Sequence, residues 1–245
     1  MSPHAIVLCG SRRRTDPWHD LAGTGHAAAA VISGQGVTTR LTSRPLDMVV
    51  DGTVDADLLV VNLSDNRFDS FTGPDGLDWV PLGAAIAAHV AAGRPVLVLH
   101  SSVMAFPDLP GWASVLGARW VDDVSMHPDI GDVTVQVHPG PWGIGTGLED
   151  VTVTDERYCF LEPAADLGPV EPHLTHVHDG VVHPLAWARE IGPANARVVF
   201  DALGHDVRSY DSPTRRALLA AEVDWLLRSE RERAPRSTGV PIPGR

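Results

Sequence analysis

Short apolar runs recur in the first half of the chain at residues 5–9, 58–62 and 96–100. They are rich in valine, leucine and isoleucine and do not alternate with polar residues, which is typical of parallel strands buried on both faces. An alanine-rich stretch over 19–33 and three- and four-residue apolar steps over 79–90 predict intervening helices. This β–α–β order predicts an α/β protein, a three-layer αβα sandwich around a mostly parallel sheet.

The middle of the chain, residues 118–178, has a different pattern. Turns rich in Asp, Gly and Pro separate short runs such as residues 133–137. We interpret this part as an antiparallel segment inserted into the sandwich. The earlier pattern returns after residue 181, where residues 197–200 predict a late strand.

A last helix is predicted from Thr214 to about residue 230, with Glu222 as one acid inside its apolar stripe. Residues 234–245 are rich in Pro, Gly and Ser and are predicted to be disordered. The chain therefore divides into a single domain over 1–233 and a tail over 234–245.

Composition narrows the range of partners. The formal charge of −12 disfavours nucleic acid and anionic lipid surfaces, so a neutral small molecule is the better prediction. No apolar run approaches the ~20 residues that span a bilayer. The N-terminus enters the first predicted strand without a basic and apolar leader, which predicts a cytoplasmic protein. The oligomeric state stays open, a homo-oligomer included.

Four further segments, considered together, are specific. A stretch from Trp112 to Arg119 and a tryptophan at position 225 accompany them. The four are Val96 to Ser102, Asp155 to Tyr158, His183 to Trp187, and Arg197 to His205.

In this order the segments resemble the ThuA-like (trehalose utilisation) family of the class I glutamine amidotransferase-like superfamily. The resemblance implies a flavodoxin-like fold with a ligand crevice beyond the carboxyl ends of its strands. It also implies a carbohydrate substrate. Related amidotransferases carry a nucleophilic cysteine after the central strand, whereas Cys9 and Cys159 lie elsewhere. We therefore do not expect a cysteine-dependent glutamine amidotransferase.

The first loop departs from the family pattern. Family members usually show Gly-Gly and then a histidine after the first strand, but this chain has Gly10, Ser11 and Arg12 there. Asp16 and His19 follow, and nothing in the sequence decides whether they line the crevice.

The resemblance points to His100, Glu156 and His205 as catalytic residues. His100 ends the central strand, and His205 stands where the superfamily carries its triad histidine. Two facing imidazoles can divide general-base and general-acid roles. In an extended segment Glu156 projects opposite to Asp155 and on the same side as Tyr158. Glu156 is our choice for proton transfer, with Asp155 holding the loop, although a solvated acidic turn fits the same pattern.

Other residues are candidates for substrate binding. The aromatic face of Trp187 suits stacking on a sugar ring, although core packing explains most tryptophans equally well. Ser101 could alternatively be a nucleophile, but no Gly-x-Ser-x-Gly elbow surrounds it. The substrate-binding candidates are Tyr158, His183, Trp187, Ser101 and Asp155.

Metal binding is a separate question. His100 and His205 with Glu156 or Asp206 could form a His/His/carboxylate zinc set, and His176-x-His178 is a second, unspecific pair. No helical His-x-x-x-His signature accompanies either set. The sequence therefore predicts a protein without metal or cofactor.

We expect a protein that processes a disaccharide or a 3-keto glycoside by histidine and carboxylate acid–base chemistry, as a hydrolase or lyase. Whether it is an enzyme at all stays open. The alternative is a non-catalytic sugar-binding or regulatory protein with a degenerate amidotransferase-like site.

Overall fold

The computed structural model describes residues 2–65, 77–107, 109, 111–164 and 170–228. The helices are α1 Leu21–Gly34, α2 Val80–Ala91, α3 Trp112–Leu116 and α4 Pro213–Leu227. The strands are β1 His4–Cys9, β2 Thr38–Thr42, β3 Leu58–Asn62, β4 Val96–Leu99, β5 Ala118–Arg119, β6 Gly131–Val137, β7 Val151–Asp155, β8 Glu162–Pro163, β9 Pro172–His178, β10 Val181–Ile191 and β11 Ala196–Asp201.

One nine-stranded sheet runs through these described residues, in the order β2-β1-β3-β4-β11-β10-β9-β6-β7. The first five strands in this order are parallel, and the last four pair antiparallel. The α/β class with a mostly parallel central sheet and flanking helices is confirmed. The antiparallel segment extends this sheet from β11 outward.

The parallel strands form because their residues are apolar on both faces. Every residue of Leu58–Asn62 and Val96–Leu99 is buried, so helices must cover both sides of the sheet. Asp20 caps α1 by accepting a hydrogen bond from the Gly23 N–H, so this helix begins just after His19. Helix α4 ends at Leu227, and the predicted tail over 234–245 lies outside the described residues.

The topology gathers four loops at one end of the sheet. Parallel strands β1, β4 and β11 each end at the same edge, and ligands of such sheets bind there. Strand β7 lies at the far edge of the sheet, but it also contacts α4 and the turn at 207–211. Its carboxyl end therefore reaches the loop that follows β11. Among the described residues, no helix is long and apolar enough to cross a membrane.

Candidate functional site

Three histidines and one glutamate meet beyond these strand ends. His19 follows β1, His100 follows β4, Glu156 follows β7 and His205 follows β11. One nitrogen or oxygen from each side chain lies within 4.8 Å of those of the others. The Nε2 atoms of His19 and His100 are 3.1 Å apart, and His205 Nδ1 is 3.1 Å from Glu156 Oε2. Among the described residues this is the one group of three or more potential metal ligands.

A cavity of about 470 Å³ opens beside this group. His19, Glu156 and His205 line it, whereas His100 is only 1% exposed and lies behind them. The other lining residues are Asp16, Trp18, Ser64, Asp65, Met104, Trp120, Asp122, His127 and Tyr158.

His100 is held in one orientation by its backbone and its neighbours. It occupies the left-handed region at φ 41°, which costs a non-glycine residue about 1–3 kcal/mol and is found mainly at functional sites. Its Nδ1 donates to the Ala202 carbonyl at 2.6 Å, and its ring stacks on Tyr158 with 4.5 Å between centroids. These contacts aim Nε2 at His19 and Glu156.

His19 is oriented by Asp16. Its Nδ1 lies 2.7 Å from the Asp16 carboxylate, which also accepts from the backbone N–H groups of Trp18 and His19 and from the Ser64 hydroxyl. Burial would raise the pKa of Asp16, but these hydrogen bonds and the nearby His19 hold that pKa below its ordinary value. Burial lowers the pKa of His19. The pair at neutral pH is therefore an ionised carboxylate and a neutral imidazole.

Asp155 ties two loops together. It is fully buried, and it accepts from the backbone N–H groups of Glu156, Gly204 and His205 at 2.8–3.0 Å. Burial raises its pKa. The carboxylate thereby fixes Glu156 and His205 relative to each other, and it does not line the cavity.

Glu156 and His205 face each other as an ion pair. Burial would raise the pKa of Glu156, but His100 and His205 hold it well below its ordinary value. Burial would lower the pKa of His205, but the Glu156 carboxylate outweighs this effect and raises it. His205 Nδ1 is nevertheless not aligned for a hydrogen bond.

The remaining predicted residues fall into two groups. Tyr158 lines the cavity, and burial raises its pKa well above the ordinary value. Ser101, His183 and Trp187 do not line it. Ser101 Oγ donates to the Leu63 carbonyl, and His183 Nδ1 accepts from the Phe160 N–H.

Trp187 is part of the core rather than the cavity wall. It is 1% exposed, packs on Phe200, and its Nε1 donates to the Leu116 carbonyl at 2.7 Å. The alternative reading of this tryptophan as a packing residue therefore describes its position, because β10 turns its side chain toward α3 rather than toward the strand ends.

We therefore predict that Trp187→Phe destabilises the protein without weakening ligand binding. The Leu116 carbonyl would lose its buried donor, at a cost of about 1–3 kcal/mol. Denaturant unfolding should show the loss, while the KM of the folded variant should equal that of the parent. A raised KM at unchanged stability would contradict this assignment.

Sequence reasoning left His19 and Asp16 undecided and did not single out Trp120 or His127 as site residues. The only signal for His19 was its place after the first strand, where crevice residues are expected. It supplies a first-loop histidine farther along the chain than in the family pattern. Cys9 and Cys159 are both buried, burial raises the pKa of each thiol to about 11, and neither lines the cavity.

The sequence was compared with known proteins. A family model described as ThuA, trehalose utilisation, matches residues 58–226. The chain belongs to this family. The ThuA family is part of the glutamine amidotransferase-like superfamily, so the resemblance is confirmed and carries a family-level role in trehalose utilisation. The matched region includes His100, Glu156 and His205, whereas His19 precedes it.

Solved structures share the fold of this ThuA-family protein. A ThuA-like protein from Parabacteroides merdae is 14% identical, with a TM-score of 0.69 and 93% of this chain and 91% of that chain covered. A ThuA-like protein from Bacteroides uniformis is 14% identical, with a TM-score of 0.66 and 92% of each chain covered. PurLQS from Thermotoga maritima is 11% identical, with a TM-score of 0.55 and 92% and 100% covered. Among curated proteins the comparison finds no match.

Proposed function

We propose that this ThuA-family protein cleaves a 3-keto glycoside, such as 3-ketotrehalose, by acid–base chemistry. The observation that supports this proposal is the pairing of Glu156 with His205 at 3.1 Å on the wall of the cavity. The cavity volume of about 470 Å³ is in the range of small-molecule sites, ~300–1,000 Å³. The family-level role supports a sugar as the ligand.

Aromatic side chains at the cavity suit a sugar ring. Trp18, Trp120 and Tyr158 all line it, and the rings of Trp120 and Tyr158 pack edge to face with 5.1 Å between centroids. Such faces bind the apolar C–H side of a pyranose. We therefore assign to Trp18 and Trp120 the stacking role that sequence reasoning gave to Trp187.

The reaction needs one proton removed and one delivered. A keto group at C3 acidifies the neighbouring C2–H. Removal of that proton leaves an electron pair that forms the C1–C2 double bond as the C1–O bond breaks, and the departing oxygen takes up a proton. Because Glu156 and His205 face each other as carboxylate and imidazolium, we assign Glu156 as the base and His205 as the acid. This reverses the roles expected from sequence. His100, behind them, is a positioning residue.

The test is incubation of the purified protein with trehalose and with 3-ketotrehalose, followed by NMR of the products. We expect release of glucose from 3-ketotrehalose and no change in trehalose, whose C2–H is not acidified. If a folded, metal-replete sample leaves both sugars unchanged, the proposed function fails. Calorimetric binding of an unchanged sugar would then favour the non-catalytic sugar-binding alternative.

A further inference from the structure

Two imidazole nitrogens without protons face each other in the site. His100 Nδ1 contacts the Ala202 carbonyl, and His19 Nδ1 contacts the Asp16 carboxylate. Because both of these oxygens only accept, each Nδ1 carries the proton of its neutral ring, and each Nε2 presents a lone pair. The two Nε2 atoms are 3.1 Å apart. The lone pairs repel at this distance unless a proton or a cation lies with them.

Two more donor atoms complete the group. His205 Nδ1 is buried and has no aligned hydrogen-bond partner. It lies 3.1 Å from Glu156 Oε2, which in turn lies 3.6 Å from His100 Nε2. Ligand atoms at ~2.0–2.1 Å from a tetrahedral zinc ion are ~3.3 Å from one another. The observed separations are close to this value.

The surroundings hold the imidazoles as they are held around metals. Histidine ligands usually donate their other N–H to a carboxylate or to a backbone carbonyl, which fixes the tautomer and the direction of the ring. Asp16 does this for His19 and the Ala202 carbonyl does it for His100. The Asp16 carboxylate is itself fixed by the Ser64 hydroxyl and two backbone N–H groups. Three of the four donors are imidazoles, which favours zinc over magnesium or calcium.

We propose that His19, His100 and His205 bind a divalent transition-metal ion of the zinc type, with the Glu156 carboxylate beside the ion toward the cavity. This inference rests on the proposed function for its substrate class. The ion would polarise the 3-keto oxygen and stabilise the negative charge that develops there when the C2 proton leaves. Glu156 remains the base, and His205 becomes a ligand. The proposal replaces the sequence prediction of a metal-independent protein.

The experiment uses the full chain purified without a histidine tag. Elemental analysis should find about one zinc ion per chain after incubation with zinc chloride and gel filtration. Calorimetric titration of chelator-treated protein with Zn²⁺ gives the affinity. We expect His19→Ala and His100→Ala to lose stoichiometric binding. Asp16→Asn keeps an acceptor for the loop and should weaken Zn²⁺ binding by about 10–100-fold. His26→Ala, on the exposed face of α1, is the matched control and should bind as the parent does.

The outcomes separate the metal site from the proposed function. Zinc binding that depends on His19, His100 and Asp16 supports the site even when 3-ketotrehalose is not consumed, in which case only the proposed function fails. Absence of stoichiometric Zn²⁺ binding by folded parent protein overturns the site, and so does binding unchanged in His19→Ala and Asp16→Asn. Cleavage of 3-ketotrehalose by such a metal-free protein would leave the function standing and assign a shared proton to the two Nε2 atoms.

Discussion

Replacing Glu156 with glutamine is expected to lower kcat on 3-ketotrehalose by about 10²–10⁴-fold, the usual contribution of a positioned proton-transfer group. Glutamine keeps the shape of the side chain but can neither accept the C2 proton nor balance the charge of His205. The fold should be unaffected because Asp155, and not Glu156, holds the neighbouring loop. Initial rates at saturating 3-ketotrehalose and a denaturant unfolding curve measure the two effects.

Glu162→Gln is the matched control. Glu162 is on β8, where it pairs with Arg119 at 2.8 Å, and it does not line the cavity. We expect its kcat and KM to equal those of the parent. If Glu156→Gln retains parental kcat within a few-fold, Glu156 is not the base and the assignment of roles in the cavity is wrong.

A second large effect is expected in the core. Arg215 is fully buried on α4, with its guanidinium 2.8 Å from the Asp201 carboxylate and over the Tyr210 ring. Glu222, also buried, adds a second acid and lies 2.7 Å from His173. Burial raises the pKa values of Asp201 and Glu222 to about 7, although Arg215 opposes the rise in both.

Arg215→Met should reduce the free energy of unfolding by about 3–5 kcal/mol at pH 8, because it leaves two acids buried without their cation. The loss should be smaller at pH 5. A carboxyl whose folded-state pKa is raised stabilises the fold below its unfolded-state pKa and loses that stabilisation as pH rises through the folded-state value. Without Arg215 both folded-state pKa values rise further, so the difference between variant and parent grows from pH 5 to pH 8.

Urea unfolding of parent and variant at pH 5, 6.5 and 8 measures this difference. His173, whose pKa burial lowers to about 4, titrates in both proteins and is therefore largely removed by the subtraction. Arg216→Met is the control, because the same substitution one position along removes an exposed guanidinium that contacts the Tyr210 and Asp211 carbonyls. A loss independent of pH would show that Arg215 stabilises the core by packing rather than by charge.

The order of elements and the class of fold could be predicted from the sequence. Parallel strands buried on both faces must be apolar at every position, so β1, β3 and β4 appear as continuous runs that no exposed element produces. The ends of these runs also located His100, because a strand that stops beside its parallel neighbours delivers the next residue to the crevice. His205 and Glu156 came from the family resemblance rather than from any periodicity.

Only the tertiary structure decided which side chains meet. His19 stands in an irregular loop, where spacing predicts no direction, and its contact with His100 depends on Asp16 and on a backbone turn at φ 41°. Trp187 shows the converse, since a strand residue next to a predicted site can equally face the core. Residues far apart in sequence approach one another only when the sheet and its helices pack, so local pattern determines elements and packing determines the site.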